Sequence, residues 1–249
     1  MTFQFSQIKA PEFVKDEYSW CESVYVFALK KDFVPYPKGF FVCQSGLGED
    51  YHKILTDFMT DFAKENIKEK YEIICDKNLD EKKLAIMAGV GKISKNNLIY
   101  SQVLKSFVYI GEILSAEKCE ISPIKEKKYN LLCENCNICE KACPGKAIKN
   151  WNYNKENCIS FITQKKDDLT ETERSKINSL YGCDACTLCC PLTENYNEKE
   201  IFPINLEYLC NITNKEFNSI KKDYPFMWMG KKRISRNAKI LLAKKEKKC

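Results

Sequence analysis

The chain has 249 residues, enough for one large domain or two modest ones, and an apolar content of 44% excludes general disorder. Its start, MTFQFSQIKA, lacks a basic segment followed by an apolar core, and runs such as Val24–Leu29 are far too short to cross a bilayer. The net charge of +6 is uneven, because residues 231–249 carry nine Lys/Arg against the single acid Glu246, which leaves the body close to neutral.

These features predict a cytoplasmic protein with no membrane association. In chain order, residues 23–29 (SVYVFAL) read as a strand, followed by a loop with Gly39, Gly46 and Gly48. Asp50 is placed to cap a helix running to about Lys68, with Ile54, Leu55, Phe58, Met59 and Phe62 on one face. Tyr71–Cys75 (YEIIC) reads as a buried strand, and a second helix starts near Asp80 and ends at the glycines of AGVG. Phe107–Leu114 (FVYIGEIL) is a further strand. Strands alternating with helices predict an α+β protein whose first domain, residues 1–128, is a mixed α/β unit. The Lys-rich stretch Ala116–Asn130 reads as a linker or surface loop. A cysteine-rich domain of ferredoxin-like type is expected over 129–200, and a short basic helical segment over 201–249. Thr170 with Glu173 and Thr213 with Glu216 form capping-box patterns, and Ser235 is placed to cap the last helix. That basic helix is either a phosphate-contacting element for nucleic acid or a solvated, fraying helix end.

Fifteen cysteines without an export signal argue for metal chemistry rather than a disulfide scaffold. Cys21, Cys75, Cys119 and Cys210 are expected to be buried hydrophobes. The run Cys133-x-x-Cys136-x-x-Cys139-x-x-x-Cys143-Pro144 has the spacing with which three thiolates wrap a 4Fe–4S cubane while the fourth, before proline, serves a second cluster. Zinc is the rival reading of any Cys-x-x-Cys pair, but a zinc site needs neither the third evenly spaced cysteine nor the fourth before proline. The second run, Cys183-x-x-Cys186-x-x-x-Cys190-Pro191, is one ligand short, and Cys158 between the two runs is the obvious donor. One cluster would then take Cys133, Cys136, Cys139 and Cys190, and the other Cys143, Cys158, Cys183 and Cys186, with Cys189 left as a packing residue.

Taken together, CENCNICEKACPGKAI, NCISFIT and YGCDACTLCCP resemble the epoxyqueuosine reductases, as do VCQSGLGEDYHKIL, LAIMAGVGKISKNNLI and FVYIGEIL in the first domain. GKKRISRNAKILLA is similar to the start of that family's helical-repeat region. The resemblance implies a cobalamin-dependent iron–sulfur oxidoreductase. Such an enzyme passes electrons from a donor such as flavodoxin or ferredoxin through two clusters to cobalamin, and converts epoxyqueuosine in tRNA to queuosine. It also implies roles for single residues. Asp76 matches the family's general acid, with Asp80 as the alternative because the segment after Asp76 is one residue shorter. Cys43 matches a cysteine near the cobalt, nine residues before His52, itself an axial ligand, a proton donor or a structural hydrogen-bonding group. Lys82, Gly89, Gly91, Lys95 and Asn96 match the cofactor-binding segment.

The sequence departs from the family at Lys92, Ser94 and Lys105, around the expected cofactor site. It also lacks a stretch before the first strand and most of the C-terminal repeats. The basic 231–249 segment is the expected tRNA contact. Two other functions compete: a cluster-only, ferredoxin-like electron carrier, and a corrinoid reductase of a small molecule.

Overall fold

The computed structural model describes residues 2–31, 41–125, 129–193 and 205–246. It begins with a strand, β1 (Phe3–Lys9), and a short helix, α1 (Glu12–Glu17), neither of which the sequence reading found. The expected strand follows as β2 (Ser23–Lys30), then α2 (Tyr51–Asn66), β3 (Tyr71–Ile74), α3 (Glu81–Met87), the short strands β4 (Lys92–Ile93) and β5 (Ile99–Ser101), and β6 (Ser106–Ser115). Every described pairing in this sheet is antiparallel, in the order β1-β2-β6-β5-β4, with β3 also on β6. The first domain is therefore an antiparallel sheet with helices packed on it, and not a set of parallel βαβ units.

Both faces of the sheet are covered, which is why β2 reads as an unbroken apolar run. Val24, Val26, Ala28, Ile74, Ile110 and Leu114 face one layer with Val14 of α1 and Leu84 of α3. Tyr25, Phe27, Leu29 and Ile113 face the other, where α2 contributes Leu55, Met59 and Ala63. Fully buried side chains such as Phe27 each contribute about 1.5–3 kcal/mol. The stretch 116–125 lies along this unit, tied down by Lys9 N donating to Ile121 O and Ile124 N to Met87 O.

The remaining described elements are α4 (Ile138–Ala142), the hairpin β7 (Ile148–Lys149) and β8 (Asn152–Tyr153), α5 (Ile159–Gln164), α6 (Glu171–Lys176), α7 (Ala185–Leu188), α8 (Leu206–Asn211), α9 (Asn214–Ile220) and α10 (Lys231–Glu246). Capping boxes open α6 and α9 as expected. Ser235 is not a cap: Gly230, at φ 83, starts α10 earlier, and Ser235 Oγ donates to Cys210 O.

Two compact units result, Met1–Asp32 with Tyr51–Cys136, and Phe33–Asp50 with Asn137–Cys249. This division differs from the expected boundaries. The described residues 41–50 join the second unit, Cys133 and Cys136 fall in the first, and the C-terminal helices share a unit with the cysteines from Cys139 onward. Gly39 of the expected loop, and Lys247 and Lys248 of the basic segment, lie outside the described residues.

Candidate functional site

In the first unit, Asp76 lies two residues beyond β3 and takes the left-handed conformation at φ 50 although it carries a side chain. Three contacts hold it there. The Tyr51 hydroxyl donates to Asp76 Oδ2, His52 Nε2 lies 2.8 Å from the same oxygen, and the Asp76 amide donates to Glu81 Oε1. Tyr51 in turn stacks on Tyr109 of β6 at 4.0 Å, which Lys31 Nζ overlies at 5.1 Å. The side chains of His52 and Asp76 are 44% and 48% exposed, so the pair is open to a substrate. Asp80, the other acid left open by the sequence, is instead the N-cap of α3, accepting from Lys83 N at 3.0 Å. His52 Nε2 thus lies against a carboxylate.

The electrostatics of this corner separate three carboxyls. Hydrogen bonds from His52 and then Tyr51 hold Asp76 below the ordinary carboxylate range, against the opposing effect of burial. Burial, followed by the Asp76 charge, pushes Glu81 up to about 7. Glu112, opposite Ile74 in the β3–β6 register, is completely buried, and neither of its carboxyl oxygens has a hydrogen-bond partner. Burial and the nearby acids Glu81, Asp76 and Asp80 push it well above the ordinary value, which favours its neutral form. Sequence reasoning missed Glu81 and Glu112. The only signal was a lone Glu inside the apolar run FVYIGEIL.

The other residues expected to hold a cofactor divide into two groups. Lys95 and Asn96 are buried. Lys95 Nζ donates to Glu134 O at 3.2 Å and Cys136 O at 3.0 Å, which fixes the backbone of the first cysteine run. Asn96 Oδ1 accepts from Leu98 N. A side chain at Gly91 would meet Ile99 Cγ2 at 2.3 Å, so packing against β5 demands that glycine. Gly89, at φ 72, is exposed, and Lys82 is half-buried on the first turn of α3.

In the second unit, Cys43 is buried with its Sγ 3.1 Å from Ser45 Oγ. Cys43 N donates to Tyr181 O at 2.9 Å, and Gln44 N donates to Asp184 Oδ2 at 2.6 Å. A Cβ on Gly182, which has φ 65, would lie 2.0 Å from Cys43 Sγ, so this glycine is required for the loop to pack beside Cys183. Cys143, Cys158, Cys183 and Cys186 are electrostatic neighbours of one another. Burial, then Asp184 and the neighbouring thiols Cys158 and Cys143, push Cys183 up to about 11, and burial followed by Cys183 raises Cys186 further. Tyr153 bonds Cys158 at the edge of this group. The Cys183 and Cys186 thiols hold their protons more tightly than free thiols, and a cationic centre would have to displace those protons to bind there. Cys139 and Cys143 share a small buried cluster with Cys158, Cys186 and Cys189, and Cys189 Sγ donates to Cys186 O at 3.7 Å. Among the described residues, no three Cys, His, Asp or Glu side chains are gathered closely enough to hold a single metal ion.

The basic helix α10 is not a fraying end. Arg236 donates to Lys165 O and Asp167 O at 2.9 Å and to Thr163 O at 3.1 Å, Arg233 to Gln164 O at 3.1 Å, and Lys244 to Ser175 O and Ile177 O. These cations cap the carbonyl ends of α5 and α6. Lys231, Lys232 and Lys239 join Arg174 and Arg236 around a cleft of about 810 Å³ whose lining includes no carboxylate. Among the described residues, no helix is long and apolar enough to cross a membrane.

Residues 132–193 match the 4Fe-4S double cluster binding domain. The chain is 34% identical over 224 residues to the epoxyqueuosine reductase of Bacillus subtilis, covering 83% of this chain and 56% of the relative. It is 32% identical over 213 residues to that of Listeria monocytogenes, covering 79% and 55%. The chain thus spans little more than half the length of these curated relatives. Its fold is similar to the epoxyqueuosine reductase of Streptococcus thermophilus (TM-score 0.75, 27% identity, 94% of this chain and 69% of that one). It is also similar to an epoxyqueuosine reductase solved with an epoxyqueuosine-modified tRNA-Tyr stem loop (TM-score 0.77, 26% identity, 97% and 77%).

Proposed function

We propose, for a chain that belongs to the epoxyqueuosine reductase family, that it reduces epoxyqueuosine to queuosine in tRNA within the cytoplasm. The observation that carries this reading is that the likeness to the tRNA-bound relative spans 97% of the chain, and so takes in both the Asp76 corner and the cysteine-rich region.

Cys143, Cys158, Cys183 and Cys186 would hold one 4Fe–4S cluster, and Cys133, Cys136, Cys139 and Cys190 the other. When bound, the clusters would pass single electrons from a donor such as flavodoxin or ferredoxin, and cobalamin would supply the reduced cobalt that opens the epoxide. The chain's own work is orientation and protons. Removing the epoxide oxygen as water takes up two electrons and two protons and leaves an alkene. Asp76 is the group exposed at the site to deliver a proton to that oxygen, with Tyr51 and His52 fixing its carboxyl. The family resemblance, and not their contacts, assigns Cys43 and His52 each to a cofactor. The cationic cleft on α10 is suited to tRNA phosphates.

A second reading, a cluster-only electron carrier, is favoured by the burial of Lys95 and Asn96 and by the packing demand on Gly91, which leave these residues no reach to a cofactor. The test is anaerobic reconstitution with iron and sulfide, incubation with cobalamin, desalting, and EPR, followed by an epoxyqueuosine-tRNA assay. Retained base-off cobalt and turnover support the reductase. Cluster signals without retained cobalt establish the carrier.

A further inference from the structure

Epoxide removal consumes two protons, yet Asp76 is a poor proton holder, because its Oδ2 accepts from the Tyr51 hydroxyl and lies 2.8 Å from His52 Nε2, contacts that favour its carboxylate. The proton has to be kept nearby. Facing Asp76 are His52 and Tyr51 from α2, Glu81 at the start of α3 and Glu112 from β6. Glu81 is the carboxyl in direct contact: its Oε1 accepts the Asp76 amide, and the two side chains bond one another. Two carboxyls that bond each other share a proton, since two carboxylates repel. Glu112, which feels the charges of both, is completely buried, and neither of its carboxyl oxygens has a hydrogen-bond partner.

We propose that Glu81 is the resting proton holder of the site and recharges Asp76 during turnover, a positioning residue that acts through Asp76. In the step, the O–H bond of Glu81 breaks as an O–H bond forms on Asp76, and the negative charge passes to Glu81. Asp76 then gives the proton to the departing oxygen. Glu81, half-buried, keeps an edge open to solvent and regains its proton there for the second delivery. Unequal proton affinities in neighbouring carboxyls are the general mark of an acid–base pair, and here the raised member is Glu81. The use in turnover rests on the reductase reading; the location of the proton does not.

The test uses the full, reconstituted, cobalamin-loaded chain. Glu81→Gln keeps Oε1 for the Asp76 amide but cannot carry the proton. It is expected to lower kcat about 100-fold with KM unchanged, and to remove the loss of activity above about pH 7. Glu81→Asp is expected to restore that pH limb. Infrared spectroscopy gives a readout without activity: a protonated-carboxyl band titrating near neutral pH, absent from Glu81→Gln, and a second band persisting to higher pH, absent from Glu112→Gln. Wild-type kcat and pH profile in Glu81→Gln, or an unchanged infrared titration, overturns the proposal. A chain inactive on tRNA that still shows both bands overturns the reductase reading and supports the Glu81 assignment.

Discussion

Replacing Glu112 by methionine exchanges a buried carboxyl for an apolar side chain of similar size at the centre of β6. Neither oxygen of Glu112 has a hydrogen-bond partner, and a buried polar group left that way costs about 1–3 kcal/mol. Glu112→Met is therefore expected to stabilise the first unit by about that amount under acidic conditions. The pH dependence adds to it. The folded-state pKa of Glu112 lies above its unfolded value, so the native form keeps a proton that the unfolded chain releases. The wild-type stability from this group is fully present below the unfolded pKa, about 4.3, and is lost as pH rises towards the folded value, at up to about 1.4 kcal/mol per pH unit. The advantage of the variant should accordingly widen from pH 5 to pH 8. Amide exchange at β2 and β6, corrected for intrinsic rates, reads the first unit by itself. Reduced protection in Glu112→Met at pH 5, or an advantage independent of pH, would refute the reasoning and show that Glu112 has a compensating partner in solution.

Other expectations follow from the second unit. Gly182→Ala forces a side chain into the left-handed region and onto Cys43 Sγ, and should cost about 2–4 kcal/mol by thermal unfolding, with reduced iron retention. Asn237→Ala strips the buried carbonyls of Thr163 and Leu180 of their donor and should cost about 2–4 kcal/mol in the same measurement. Cys158→Ser should lower iron from about eight to about four per chain, whereas Cys189→Ser should leave it unchanged; equal losses would reassign the ligands. If the α10 cleft holds tRNA phosphates, replacing Lys231, Lys232 and Lys239 by alanine should reduce the slope of log affinity against log salt by about two to three. An unchanged slope would move the contact elsewhere.

What the sequence made legible was local. The i, i+3, i+4 face of α2, the two-faced apolar runs of β2 and β6, and both capping boxes are set by residues close to one another in the chain. β1 was missed because its edge position leaves it only partly buried, which weakens its apolar pattern, and β4 and β5 are too short to carry one. Spacing marked the cysteine runs, but not that Lys95, about forty residues earlier, would brace one of them through its backbone carbonyls. Nor could periodicity show that Arg233, Arg236 and Lys244 cap other helices, since a cation on a carbonyl and a cation in water read alike in a string of letters. Glu81 was hidden by its ordinary place in a helix's first turn. Only the fold sets it against Asp76.

The loop around Cys43 closes on residues made far later: Leu180 N donates to Phe41 O at 2.8 Å, and Val42 bridges Tyr181 in parallel. A ribosome adding about 5–20 residues per second would leave that loop waiting roughly 7–28 seconds for its partner. During that interval an apolar segment containing Phe41, Val42 and the Cys43 thiol has nowhere native to go. The helices of the first unit can form while it waits, but the loop between them cannot. Nascent chains stalled just short of Tyr181 should therefore be open to thiol labelling at Cys43, and chains stalled well beyond it protected.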